Sequence, residues 1–345
     1  MPLPEFWKSK LSDVQDCVGK IRRASVETIA TSPGGRELFL VSYGQRRDLQ
    51  TQATYSSACG AGNPAWYAHK PAGTAPTVML LGPVHGHEVE NIVGLVNLIH
   101  LAETGRDHRG REWPKLAESF EKCRVLIIPC ANPDGRARCK LDSFVGETHD
   151  TMAHWGQGSR ADGSDYGWPG VKTRMPMVGD VGLLGAYHND EGVNVMHDDF
   201  CAPMAGETRA VFDVARAEAP DYIAMLHSHG GEPRPLPVSY VPRAIKQKVY
   251  DFCEQLASRY EAEQLPFRPP DELTEGVVGE PPTSLNLTSA VHHVCGAATF
   301  TFECSHGVSD EPYPHVTHEQ ILDIQLILYE ELLNFALANP VVWER

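Results

Sequence analysis

Residues 77–88, Thr-Val-Met-Leu-Leu-Gly-Pro-Val-His-Gly-His-Glu, constrain this chain more than any other stretch. The apolar run reads as a buried strand, Gly82-Pro83 stops it, and the polar cluster opens a helix. Two histidines and a carboxylate therefore stand where a strand ends, which is where α/β sheets bind ligands. The same rhythm continues on both sides. A helix within 5–24 and a strand at 37–43 come first, then strand 77–82, helices 88–104 and 114–122, and strand 124–129. After residue 206 the pattern gives helix 207–218, strand 222–227, helix 243–263, strand 298–303 and helix 317–338. With no repeat and no clear linker, residues 1–345 read as one α/β domain. Two stretches break the rhythm: 136–191, rich in Gly, Asp and Ser, and the proline-rich 265–285. The first is far longer than an ordinary connection, and loops of that length are usually functional or disordered.

Composition removes some partners. The formal net charge is −15, which disfavours nucleic acid and anionic membrane surfaces. No apolar run approaches the roughly 20 residues of a bilayer span, and the first residues lack a cationic segment followed by an apolar one. Nine scattered cysteines, an odd number without any Cys-x-x-Cys, fit reduced thiols and a cytoplasmic location. Oligomeric state is left open.

His-x-x-Glu occurs five times: His85/Glu88, His87/Glu90, His100/Glu103, His188/Glu191 and His229/Glu232. Spacing alone therefore selects none. Only His85 directly follows a buried strand, with a glycine beside it to admit a ligand. His87 reads as a bystander, His100 packs within a helix, and His188 falls in the Gly-rich loop as a solvated side chain. A catalytic zinc takes three protein ligands and keeps one position open. Leu226-His-Ser-His-Gly-Gly231 offers His227 at the end of an apolar strand, with His229 as its competitor. Hydrolysis also needs a base for the water proton. Glu303 ends a strand of Ala, Thr and Phe, where a carboxylate is costly unless it meets a cleft or a partner. No nucleophile elbow, Walker loop or strand–G-x-G-x-x-G–helix unit is present, and Cys304 reads as a buried small hydrophobe.

These landmarks, in this order over roughly residues 27 to 335, resemble the zinc carboxypeptidase family, whose type member is carboxypeptidase A. The stretch 27–37, Glu-Thr-Ile-Ala-Thr-Ser-Pro-Gly-Gly-Arg-Glu, resembles its opening G-x-S-x-x-G-R turn. Val84-His-Gly-His-Glu88 resembles its zinc motif, and Pro129-Cys-Ala-Asn-Pro-Asp-Gly135 its P-x-x-N-P-D-G element. Glu207-Thr-Arg209 with Leu226-His-Ser228 resembles its E-T-R and L-H-S stretches, and Thr301-Phe-Glu303 its T-F-E strand. The resemblance implies one zinc per chain on His85, Glu88 and His227, with Glu303 as base and then acid. It also implies a mixed, mostly parallel, eight-stranded sheet flanked by helices.

The sequence departs from the family where substrate binds. In place of G-V-D-x-N-R stands Gly192-Val-Asn-Val-Met-His197, so Asn194 replaces an aspartate and Met196-His197 replace the Asn-Arg pair that grips a carboxylate. A mostly neutral imidazole cannot mimic a bidentate arginine, and Asp198 and Asp199 would welcome a cation. Arg174, in Lys172-Thr-Arg174, stands near the arginine that polarises the carbonyl in the family, with Arg138 as runner-up. Val291-His-His-Val294 occupies the neighbourhood of the family's mobile tyrosine. Peptidase activity follows by default, and an amidase or N-deacylase of the aspartoacylase type is the alternative. A non-catalytic zinc or ligand-binding protein is the third reading. The substrate is then a peptide or an N-acylated small molecule, and the 136–191 loop is expected to lie over the active site.

Overall fold

In the computed structural model the apolar run at Thr77–Leu81 is a strand with every residue buried. Residues 2–236, 238–270 and 285–345 are described. The strands are β1 (Ser25–Thr31), β2 (Glu37–Tyr43), β3 (Thr77–Leu81), β4 (Arg124–Ile128), β5 (Gly158–Ser159), β6 (Leu183–Leu184), β7 (Tyr222–His229), β8 (Arg234–Leu236) and β9 (Ala298–Ser305). The helices are α1 (Leu11–Val18), α2 (Tyr55–Gly60), α3 (Val89–Thr104), α4 (Pro114–Lys122), α5 (Pro133–Arg138), α6 (His149–Gln157), α7 (Gly206–Glu218), α8 (Arg243–Ala262), α9 (Leu287–Cys295) and α10 (His318–Ala338).

Seven strands form the main sheet in the order β1-β2-β4-β3-β7-β9-β8. The central four, β4, β3, β7 and β9, run parallel, while β1, β2 and β8 are antiparallel to their neighbours. Parallel strands are covered on both faces, which is why β3 and β4 are buried from end to end and apolar after their first residues, Thr77 and Arg124. Side chains alternate between faces of a strand. Tyr222, Ala224 and Leu226 of β7, with Phe300, Phe302 and Cys304 of β9, enter a layer shared with α3, α4, α8 and α10. Ile223 and Met225 enter the opposite layer, with residues of α2, α7 and α9. By the same alternation Thr299, Thr301 and Glu303 of β9 face that second side.

The expected α/β sheet is present, with seven strands among the described residues where the resemblance implied eight. Two further extended pieces, β5 and β6, pair with each other in a separate ribbon. Each is two residues long and lies in glycine-rich chain, too short to extend a sheet. Edge strand β1 escaped the hydrophobic pattern because most of its residues are exposed. The N-terminal helix is confined to α1, with Phe6 and Trp7 packed into the core ahead of it. Residues 136–191 are not structureless, for they hold the end of α5, all of α6 and the β5–β6 ribbon. All nine cysteines are free. No described helix is long and apolar enough to cross a membrane.

Candidate metal centre

Three adjacent strands deliver three polar side chains to one level. In the pairing register His227 of β7 stands opposite Glu303 of β9, and Arg234 of β8 stands opposite the same Glu303. All three line a cleft of about 810 Å³ at this end of the sheet. Next to β7, strand β3 ends at Leu81, and the turn that follows carries His85 and Glu88 to the same opening.

Glu88 is the cap residue of α3, with backbone outside the helical region (ψ 62°), so its carboxylate sits at the positive end of the helix. His85 Nδ1 lies 2.8 Å from Glu88 Oε1, and His227 Nδ1 lies 3.2 Å from Glu88 Oε2. The candidate ligand atoms of His85, Glu88 and His227 all fall within 4.8 Å of one another, the only such cluster among the described residues. His85 Nε2, Glu88 Oε2 and His227 Nε2 are buried without a hydrogen-bond partner. Buried polar atoms are ordinarily paired, so this concentration fits a site built for a cation. Burial lowers the pKa of His85 and favours its neutral, metal-binding form. Burial opposes the charge of Glu88, but His85 and His227 outweigh it and hold the carboxyl far below the usual range. His227 moves the other way: burial would lower it, and the charges of Glu88 and Glu303 raise it instead. Two imidazoles, one carboxylate and an open side are the donor set of a hydrolytic zinc.

The backing of this site comes from elements that are far apart in sequence. Asn132 Nδ2 donates to the carbonyls of Val84 (3.0 Å) and Ala186 (3.2 Å), and its Oδ1 accepts from Gly135 N (2.8 Å). Asp134 accepts from Ser32 Oγ (2.6 Å), Gly34 N (3.0 Å), Arg36 Nη1 (2.7 Å) and Asp190 N (3.1 Å). The Ser32–Arg36 turn and the Asn-Pro-Asp-Gly segment are thus one hub that fixes the residue before His85. Gly86 belongs to it too. A Cβ there would sit 2.0 Å from Arg136 N, so the glycine admits the neighbouring backbone and not a ligand. On the other side, Asn91 Nδ2 reaches the Glu88 carbonyl (3.2 Å) and Ser228 Oγ (3.1 Å), and Gln325 of α10 donates to Asn91 Oδ1 (2.8 Å). This ties the start of α3 to the end of β7.

Glu303 is part-exposed in the cleft. Burial among low-dielectric neighbours pushes its carboxyl up to about 7, with His227 opposing the shift and Glu88 adding to it. His197 also lines the cleft, and burial together with Lys172 pushes it down to about 3, so it is neutral there. Asn194 lies outside the cleft wall, fully buried, and caps a short turn by accepting from Met196 N (3.0 Å). Neither expected arginine reaches the opening. Arg174 is exposed and donates to the Val178 carbonyl (3.2 Å). Arg138 is held by Asp190 and by the carbonyls of His188 and Leu184. The oxygens of Asp198 are already engaged, accepting from Asp199 N, Met204 N, Ala205 N and Thr208 Oγ1.

Other histidines also separate. His229 turns its Nε2 to the Glu232 carbonyl (2.8 Å). His292 is buried and its Nδ1 lies 2.8 Å from the Ala297 carbonyl, while His293 faces the Tyr240 carbonyl, so neither enters the cleft. His188, read as solvated, is fully buried, with both ring nitrogens lacking partners. Sequence reasoning missed Lys172, Trp168, Tyr187 and Tyr313, which also line the cleft. Tyr187 stacks on His85 with ring centroids 3.8 Å apart. Nothing in the local sequence marked this group: Lys172, Trp168 and Tyr187 stand in the irregular 136–191 stretch, and Tyr313 lies outside it.

No family model matches the chain, and no curated protein matches it. Solved structures do. A metallo-carboxypeptidase from Burkholderia cenocepacia is 14% identical, with a TM-score of 0.59 over 95% of this chain and 68% of its own. Carboxypeptidase A from Helicoverpa armigera is 14% identical, with a TM-score of 0.54 over 97% of this chain and 74% of its own. A metallo-carboxypeptidase from Pseudomonas aeruginosa, in complex with (2-guanidinoethylmercapto)succinic acid, is 15% identical, with a TM-score of 0.52 over 94% and 67%. The fold is carboxypeptidase-like across nearly the whole chain, in a divergent sequence.

Proposed function

We propose that the chain is a zinc-dependent hydrolase of peptide or amide bonds, with His85, Glu88 and His227 as the metal ligands and Glu303 as the base. One observation carries the reading: three mutually facing buried donors without other partners stand one strand away from a carboxylate in the same cleft. A bound zinc would supply Lewis acidity at this point, acidifying water and polarising a carbonyl. Glu303 would take the proton from the attacking water onto its carboxylate and return it to the leaving amine. Its high pKa suits both halves of that exchange, because the group can hold a proton near neutral pH. Asn91 and the Asn132–Asp134 hub keep the two ligand-bearing segments in register.

An amidase or N-deacylase reading is favoured by the neutral His197, which supplies no charge at the position where the resemblance would put an arginine to grip a free C-terminal carboxylate. Activity on unmodified peptides against activity confined to N-acylated compounds separates the two. For the shared chemistry, Glu303→Gln should retain one zinc per chain and lose turnover by about 10³-fold or more, in the upper part of the roughly 10²–10⁴-fold worth of a general base. Protein purified without chelator that carries no zinc would sink both readings.

A further inference from the structure

Lys172 ends a single 3-10 turn, Gly170–Lys172, in the wall of the cleft. The turn is anchored by Val171, which is fully buried against Tyr166 and Met177. The ammonium rests 3.7 Å from the ring centroid of Trp168, itself 58% exposed at the mouth. Among the described residues no carboxylate balances it: the Lys172 ammonium makes no ion pair or hydrogen bond, and burial pushes its pKa down to about 8. Its charge nevertheless reaches His85, His227 and His197. Glu303 and Lys172 thus act on the ligand cluster from different walls. A half-buried cation without a counter-ion is unfavourable.

We propose that Lys172 is an anion-binding residue of the cleft, on the wall across from Arg234: its ammonium leaves the Trp168 face and takes a negatively charged oxygen of the substrate. That oxygen comes from one of two sources. It is a carboxylate the substrate brings, or the carbonyl oxygen that gains charge during attack. Trp168 acts as the resting place, since a cation–π contact at an exposed ring is weak enough to be surrendered to an anion. The proposal rests on the hydrolase reading for the second source and is independent of it for the first.

The test uses the zinc-loaded full chain, its Lys172→Met and Lys172→Arg variants, and two probes, N-acetylglycylglycine and its C-terminal amide. If the substrate carboxylate is the partner, Lys172→Met raises KM for the acid by about 30-fold or more and leaves the amide unchanged. If the developing oxyanion is the partner, kcat falls about 10²–10³-fold for both probes with little change in KM. Lys172→Arg restores part of the loss in either case, because the charge remains. Values within threefold of wild type for Lys172→Met on both probes overturn the proposal. If the wild type turns over neither probe, the hydrolase reading fails on its own, and binding decides. The acid should then change tryptophan fluorescence in the wild type and not in Lys172→Met, and equal responses overturn the proposal.

Discussion

His85/Glu88 and His87/Glu90 repeat one spacing two residues apart, yet they meet opposite surroundings. The first pair converges with His227 on the cleft and keeps unpaired donor atoms there. The second has unpaired polar atoms too, and His87 reaches the cleft wall, but among the described residues it joins no cluster of three candidate ligands. Glu90 and His306 are both fully buried, with Oε2 and Nδ1 3.1 Å apart, and the His87 ring lies 5.5 Å from that of His306. The difference arises where the helix starts. Glu88 caps α3 from outside the helical region, whereas Glu90 is inside its first turn. Glu88 thus projects from the turn before the helix and Glu90 from the helix itself, and the two carboxylates meet different histidines. A motif becomes a site only when the element boundary falls between its copies.

Substitutions can break that contrast. The largest effect is expected from Glu88→Gln, which should lower zinc affinity by more than the roughly 10–100-fold typical of groups behind a ligand, with turnover lost in proportion; metal analysis after dialysis measures it. Glu90→Gln should keep one zinc per chain and lower stability by about 3–5 kcal/mol, because it strands His306 without its buried partner. Denaturant unfolding with parallel metal analysis reads both quantities. If Glu90→Gln sheds zinc while keeping its stability, the second copy is a ligand set and the contrast collapses.

Asp134 sharpens the comparison as a carboxylate sealed by donors and not by a histidine. Burial opposes its charge, but hydrogen bonds from Ser32, Arg36 and two backbone amides hold its pKa below the ordinary value. A depressed carboxyl stabilises the fold above its unfolded pKa of about 3.9 and loses that contribution as pH falls through its lower folded value. The stability gap between wild type and Asp134→Asn should therefore be full at pH 6–7, about 1–3 kcal/mol, and should close below about pH 4. A gap independent of pH would mean the hub works by shape alone. The smallest effect belongs to Arg174→Ala. Its exposed side chain touches one carbonyl, so stability should stay within about 0.5 kcal/mol and kcat/KM within about twofold. A larger kinetic loss would return Arg174 to the cleft.

The strand ends were legible because buried strands announce themselves as apolar runs and stop at glycine or a polar cluster. Period-two alternation further put Glu303 on the side of β9 away from Phe300 and Phe302. What lay between strands was not legible. Lys172 is set by a short turn with no periodicity, and its place depends on Val171 packing against residues that are apart in sequence. Asp198 looked like a cation trap because sequence cannot show that four donors already occupy it. Gly86 looked like a doorway for a ligand and is a close approach of two backbones. The Asn-Pro-Asp-Gly and Ser-Pro-Gly-Gly-Arg segments were recognised separately, and only the fold reveals that one carboxylate joins them.

The row formed by His227, Glu303 and Arg234 across three strands has a bearing on how the chain can fail. Neighbouring strands stand about 4.8 Å apart, so the pairing lattice itself sets how far the base stands from its ligand. A slip of β9 by one residue would swing Glu303 into the layer of Phe300, Phe302 and Cys304 and bring an aromatic ring to the cleft. A misaligned chain would bury a charge and forfeit its core in the same step. Faulty copies should thus be lost to unfolding, and they would not accumulate as intact, inert protein.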